Sequence, residues 1–163
     1  APQKYEEIWK DDGETGNLAT GTVMRLLLAA DADPERRDEF LRGATQLNDW
    51  LLTKDSLEIA YLVNKLQIIW RQRPLTSSEH SDVRDIRRRA LRAGDEFSAL
   101  QEAGCELLLG NHAAFKEIFC NLTDEHQALF KTWPIWKLAS DTATPPALET
   151  ATPGTQTQWD QHK

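Results

Sequence analysis

The sequence predicts an all-α protein of about seven antiparallel helices, arranged as a short stack of helical hairpins or as a compact bundle. Apolar residues recur at helical spacing through most of the chain, and no segment sustains the two-residue alternation of a strand. Helix caps and loops of about two to six residues separate the periodic segments, which makes consecutive helices fold back on one another. With 163 residues, the chain is long enough to bury a sizeable core.

The first three helices follow from their caps and breakers. Leu18–Ala30 forms the first helix. Asp33 as N-cap and Pro34 at the first helical position open the second, and a third begins near Asp55 and ends before Pro74. Their apolar stripes are Val23, Leu26, Leu27 and Ala30 in the first, Phe40, Ala44, Leu47 and Leu51 in the second, and Ile59, Leu62, Val63, Leu66, Ile69 and Trp70 in the third.

Four further helices complete the predicted fold. Thr76 and Glu79 form a capping box that opens the fourth, whose apolar positions are Val83, Ile86, Ala90 and Leu91. The fifth helix runs from about Asp95 to Leu109, presents Phe97 and ends at Gly110. The sixth begins at Asn111. Thr123 caps the seventh, and Pro134 ends it.

Composition divides the chain into three parts. We expect residues 1–16 to form a flexible arm, residues 17–138 a single helical domain, and residues 139–163 a disordered tail rich in Thr, Pro and Gln, in which Trp159 is the largest apolar residue. The longest clean apolar run, Leu26–Ala30, is far shorter than the roughly 18 residues of a membrane span. No targeting segment is visible, so we expect a cytoplasmic protein without a membrane partner.

Two stretches of the chain carry a resemblance. Residues 100–122 read LQEAGCELLLGNHAAFKEIFCNL, in which Ala103 and Gly104 let two helices approach closely. This segment resembles a tetratricopeptide helical hairpin. Together with Tyr61–Glu79, Leu107–Trp136 is similar to helical regions that lie C-terminal to effector domains in bacterial multidomain proteins of stress or anti-phage systems. The resemblance implies a sensing or assembly module without catalysis in this segment.

The residue types of a reaction centre do not come together in the sequence. The four softer metal ligands, Cys105, His112, Cys120 and His126, contain no close pair of the kind that zinc sites use. Several carboxylates lie at helix N-termini, where the helix dipole favours negative charge. They are Asp33, Glu35, Asp55, Glu58, Glu79, Asp124 and Glu125. We therefore predict that the protein is not an enzyme and uses no cofactor or metal. We expect Cys105 and Cys120 to be buried free thiols, with a disulfide between them as the alternative.

Positive charge is concentrated in one segment. The chain has a net charge of -7, but residues 71–92 contain seven Arg and three acidic residues, so this segment is +4 and the remainder is -11. Arg84, Arg88 and Arg92 follow one another at four-residue spacing, which places them on one side of a helix. Arg is well suited to bidentate contacts with carboxylates or phosphates.

The sequence therefore predicts a non-catalytic interaction or assembly module that docks a protein with an acidic surface. The expected partner-binding residues are Arg84, Arg87, Arg88, Arg92, Arg71, Arg73 and Trp70. Two alternatives use the same region or fold: a nucleic-acid-binding domain with the same Arg patch, or a helical sensor of a small nucleotide-like ligand. A third interpretation is a solvated Arg face paired with the protein's own acids.

Overall fold

The computed structural model describes residues 13–140, with side chains from Leu18 onward. Within that range the chain is helical and has no strand, which confirms the predicted all-α class. Most of the predicted arm and tail, with Trp159, lies outside the described residues. The α-helices are α1 (Gly13–Ala32), α2 (Arg37–Lys54), α3 (Ile59–Gln72), α4 (Ser77–Ala93), α5 (Ser98–Leu109), α6 (His112–Cys120) and α7 (Asp124–Thr132), and short 3-10 helices span Pro34–Arg36 and Pro134–Ala139.

The chain forms two compact units that adjoin in the sequence between Ile68 and Ile69. The first unit contains α1, α2 and most of α3. The second contains the last residues of α3, the helices α4 to α7 and the second 3-10 helix. The single domain expected over residues 17–138 stays a prediction.

The core of the first unit lies mainly between α1 and α2. Both helices have apolar residues at helical spacing, so each buries one continuous stripe. The side chain of Asn48 on α2 also donates a hydrogen bond to the carbonyl oxygen of Tyr61 on α3, at 2.9 Å. Each fully buried Leu or Val contributes about 1.5–3 kcal/mol. The buried cluster comprises Ala19, Val23, Leu27, Ala30, Leu41, Ala44, Leu47, Leu51 and Ile68.

Three boundaries in this unit differ from the predicted ones. The first helix begins at Gly13, so the end of the predicted arm is helical. Asp33 caps the 3-10 helix by accepting a hydrogen bond from the amide of Arg36, and α2 follows directly. Asp55 accepts a hydrogen bond from the amide of Leu57 at 3.0 Å, and this local turn delays the start of α3 to Ile59.

The sequence predicts three of the caps of the second unit, namely the box of Thr76 and Glu79, the terminal Gly110 and the cap Thr123, but not Gly94. Helix α5 begins at Ser98, later than the predicted start near Asp95. Thr76 and Glu79 form a complete capping box at the start of α4. Gly94 and Gly110 adopt left-handed conformations, with φ of 60° and 78°, immediately after α4 and α5. The side chain of Thr123 accepts a hydrogen bond from the amide of His126 and caps α7.

The most deeply buried helix of the second unit is α5, which packs against α4, α6 and the second 3-10 helix. It buries residues on nearly its whole circumference, which is typical of a central helix. A cluster of aromatic rings lies on α6, on α7 and after it, with neighbouring centroids 5.3 to 6.3 Å apart. Its members are Phe115, Phe119, Phe130, Trp133 and Trp136.

Candidate functional site

The candidate site lies on α4, whose two sides differ sharply. Val83, Ile86 and Ala90 are buried and hold the helix to the second unit. At 100° per residue, Arg84, Arg88 and Arg92 fall on the other side, and all three are exposed. The three cations therefore form a continuous row along the outer surface of the helix.

An apolar side chain lies beside this row. The sequence assigns Leu91 to the buried stripe of α4, but 52% of its surface is exposed. It follows Arg88 by three residues, which makes the two side chains neighbours on the helix surface. We call the four exposed residues Arg84, Arg88, Leu91 and Arg92 the Arg–Leu face.

The cations of the Arg–Leu face are largely available for a partner. Within residues 13–140, the side chains of Arg84 and Arg92 make no hydrogen bond or ion pair with another residue. Arg88 pairs with Asp85 one turn earlier, and both side chains are more than half exposed. Exposed pairs of this kind contribute only about 0–1 kcal/mol, so Arg88 can exchange Asp85 for another carboxylate at little cost.

Arg87 points away from this face and holds α4 to α5. Its guanidinium pairs with the carboxylate of Glu106, whose side chain is only 6% exposed. The side-chain amide of Asn111 donates a second hydrogen bond to Glu106, at 3.3 Å. Arg87 therefore balances a buried negative charge, and this internal role leaves it outside the Arg–Leu face.

Two of the predicted partner-binding residues are buried. Arg71 is 1% exposed, and its guanidinium donates a hydrogen bond to the carbonyl oxygen of Pro134 at 3.0 Å. Trp70 is 7% exposed. Apolar periodicity predicts the burial of Trp70, whereas no local pattern separates a buried Arg from an exposed one. In this structure both side chains belong to the interior and not to the docking surface.

Arg73 is exposed but is held by its own carboxylate partner. Its guanidinium makes two hydrogen bonds with Glu79, at 2.7 and 2.8 Å, and Glu79 also accepts from the amide of Thr76. The hydrogen bonds from Arg73, with a smaller contribution from Thr76, lower the pKa of Glu79 to about 2. Arg73 thus stabilises the start of α4, one turn away from the Arg–Leu face.

The two cysteines differ in exposure. Cys105 is a buried free thiol, and burial raises its pKa to about 12. The expectation that Cys120 is buried is wrong, because it lies exposed at the last position of α6. Both are free, so the alternative of a disulfide between them does not apply in this structure.

The part of the chain that the structure describes contains neither a cluster of metal-binding residues nor a membrane-spanning helix. No group of three or more His, Cys, Asp or Glu residues is placed to hold a metal ion between residues 13 and 140. Over the same residues, no helix is long and apolar enough to cross a membrane.

Phe97, just before α5, is another of the large apolar residues that the structure exposes, together with Leu18, Leu28, Leu57 and Leu129. The sequence places it among the apolar positions of the fifth helix, but 41% of its surface is exposed. Its ring lies 6.1 Å from the ring of His126 on α7. Helix α5 begins one residue later than Phe97, because Asp95 accepts a hydrogen bond from the Phe97 amide and forms a local turn.

The sequence could have revealed part of the site and not the rest. Leu91 lies 80° from Val83 on a helical projection, well off the stripe that Val83, Ile86 and Ala90 define, so its exposure has a readable signal. Glu106 has no such signal. It follows Cys105 in an apolar segment, and only the packing of α4 on α5 shows that Arg87 is its partner.

Comparison of the chain with protein-family models, with curated proteins and with solved structures found no match.

Proposed function

We propose that the chain is a non-catalytic interaction module that docks an acidic surface of a partner protein through the Arg–Leu face of α4. One observation carries the proposal. Three Arg side chains project from the exposed side of a well-anchored helix around an exposed Leu, in a chain that is otherwise strongly acidic. The proposal keeps Arg84, Arg88 and Arg92 from the predicted set and adds Leu91. It leaves out Arg71, Arg73, Arg87 and Trp70.

The chemistry of the face supports protein docking. A guanidinium can form two parallel hydrogen bonds with one carboxylate, so each Arg provides direction as well as charge. Leu91 supplies apolar area that is removed from water when a partner covers it. In interfaces of this kind, charge complementarity sets the association rate and the register, and buried anchors set the lifetime of the complex.

The overall charge favours an acidic protein over nucleic acid. The remainder of the chain carries -11, and this charge repels a long polyphosphate at distances comparable to the Debye length of about 8 Å. A protein partner presents a limited acidic patch and avoids most of this repulsion. A bacterial sensing or assembly role, which the sequence resemblance implies, and the expected cytoplasmic location are part of the same proposal.

The test combines photo-crosslinking with charge reversal. A photoreactive amino acid replaces Ser81, which is exposed about one turn before Arg84. The photoreactive residue is placed at position 81 both in the chain with its own Arg residues and in a charge-reversal variant, which carries Arg84→Glu, Arg88→Glu and Arg92→Glu. The crosslinked products of the two proteins are then compared. We expect one or more acidic proteins to crosslink to the unmodified chain, and we expect the variant to lose them by at least about tenfold.

A matched control separates this face from charge in general. The control variant carries Arg42→Glu, Lys65→Glu and Lys116→Glu, which reverse three exposed cations on α2, α3 and α6. It has the same net charge as the charge-reversal variant and should retain the crosslinked proteins. Equal losses in both variants, or crosslinks mainly to nucleic acid, would contradict the proposal.

A further inference from the structure

The arrangement of the Arg–Leu face also indicates the shape of its partner. We infer that the face binds an acidic amphipathic helix that presents a row of carboxylates beside a row of apolar side chains. This inference rests on the proposed function and specifies which kind of acidic surface is recognised.

The first argument is the spacing of the cations. Arg84, Arg88 and Arg92 follow one another at four-residue intervals on α4, and each interval corresponds to a rise of about 6 Å along the helix. Acidic residues at four-residue intervals on a second helix have the same rise. Rows of this kind are the ridges that pack side by side when two helices cross at about −50°. Each carboxylate can then face one guanidinium.

The second argument is the position of Leu91. It lies next to the cation row, on the same exposed surface, so the partner must present apolar and acidic groups side by side. A helix does so, because residues three and four positions apart are surface neighbours. An extended strand does not, because successive side chains point to opposite faces. A nucleic-acid backbone offers phosphates without an adjoining row of apolar side chains.

The third argument is that the charges remain uncompensated. Within residues 13–140, Arg84 and Arg92 have no ion-pair partner, and Arg88 has only the exposed Asp85. The neighbouring Arg87 is by contrast neutralised internally by Glu106. Arg87 is thus used internally and Arg89 is half-buried, whereas Arg84, Arg88 and Arg92 face outward. Charge complementarity calls for an anionic group opposite each of these three, and a helix with an apolar row supplies it as carboxylates.

The test uses peptides locked as helices by hydrocarbon staples, so that helix formation does not limit binding. The matched peptide places Glu at three positions four residues apart and Leu three residues after each of the first two. The shuffled peptide has the same composition but contains neither row. The acid-only peptide keeps the Glu row and replaces both Leu residues with Gln. Binding to the full chain is measured by fluorescence anisotropy at physiological salt.

We expect the matched peptide to bind at least about tenfold more tightly than the shuffled and the acid-only peptides. The substitution Leu91→Gln should weaken binding of the matched peptide and leave binding of the acid-only peptide unchanged. The charge-reversal variant should bind none of the three, whereas the control variant should behave like the unmodified chain.

Failure of this inference can be told apart from failure of the proposed function. Equal affinities for matched and shuffled peptides, or no binding of the matched peptide, would overturn the inference. An acidic protein that crosslinks at position 81 and is lost on charge reversal would still uphold the proposed function. If charge reversal changes neither the binding of the peptides nor the crosslinked products, the inference and the proposed function are both overturned.

Discussion

Arg87 and Arg88 are neighbours in the sequence, yet the structure gives them different roles. Arg87 turns toward α5 and pairs with the buried Glu106, whereas Arg88 remains at the surface beside Asp85. A helix rotates by 100° between successive residues, so one step is enough to move a side chain from the packed side to the solvent side. The identity of a residue as Arg therefore does not by itself predict docking.

The internal pair leads to an asymmetric prediction. Arg87→Met leaves the carboxylate of Glu106 buried without its cation, and we expect a loss of about 3 kcal/mol in the free energy of unfolding. Glu106→Gln should cost only about 1 kcal/mol, because Arg87 is 29% exposed and can reach water. Urea denaturation of both variants measures the difference. Equal losses, or a larger loss for Glu106→Gln, would contradict the assigned roles.

Glu79 gives a pH-dependent contribution to stability. Its pKa in the folded chain is about 2, below the ordinary value of 4.5, because Arg73 donates hydrogen bonds to its carboxylate. The contribution is therefore complete above the ordinary pKa and is lost as the pH falls through about 2. Acidification from neutral pH to about pH 2 lowers the free energy of unfolding of the unmodified chain by this contribution. In the Glu79→Gln variant, which has no carboxylate at this position, the same acidification should lower it by about 1 kcal/mol less.

Thermal unfolding of both proteins across this pH range provides the measurement. Parallel stability curves for the Gln variant and the unmodified chain would show that the Arg73–Glu79 pair does not contribute. The Gln variant should also be slightly less stable at neutral pH, because it weakens the capping box.

At the level of elements, the sequence predicts the helices well where the ends have local chemical signals. The capping box of Thr76 and Glu79, the terminal Gly110 and the cap Thr123 all occur as predicted. The boundary errors also have local causes. Asp55 forms a turn with Leu57, and α3 therefore begins at Ile59 and not near Asp55 as predicted.

The candidate site is only partly predictable, because burial of a charged residue depends on distant partners. Arg84, Arg88 and Arg92 are identified by spacing alone, and the structure exposes all three. Arg71 belongs to the same Arg-rich segment, yet it is buried and bonded to Pro134, which lies 63 residues later in the chain. Such a partner is outside the reach of any pattern confined to one helix.

The burial of Arg71 allows a test of its structural role. Arg71→Met removes a buried hydrogen bond between the end of α3 and the second 3-10 helix, and it should lower the free energy of unfolding by about 2 kcal/mol. Binding of the matched peptide should remain unchanged at a temperature where the variant is folded. Arg42→Met is the control at an exposed position and should change stability by less than about 0.5 kcal/mol. If Arg71→Met lowered the affinity for the peptide and left the stability unchanged, Arg71 would be a binding residue and its structural assignment would be wrong.

For the whole molecule, the most informative property is the uneven distribution of charge. A net charge of -7 conceals a segment of +4 within residues 71–92. For the proposed acidic partner, this uneven charge should orient the approach toward α4 and speed association.

This charge distribution predicts how the binding kinetics respond to salt. Raising the ionic strength from low to physiological values should slow association of the matched peptide by about tenfold and change its dissociation much less. Leu91→Ala should mainly speed dissociation, because it removes apolar contact area and no charge. Stopped-flow fluorescence measures both rates. Salt-independent association would show that the Arg row does not steer the partner.

The most direct test of the docking claim is side-chain NMR of the full chain, with the guanidinium signals of Arg and the methyl signals of Leu observed during titration with the matched peptide. The account predicts that the signals of Arg84, Arg88, Leu91 and Arg92 shift together and saturably, while those of the internally bonded Arg71 and Arg87 stay in place. Shifts that fall mainly on residues outside α4, or no saturable shift at these four positions, would contradict it.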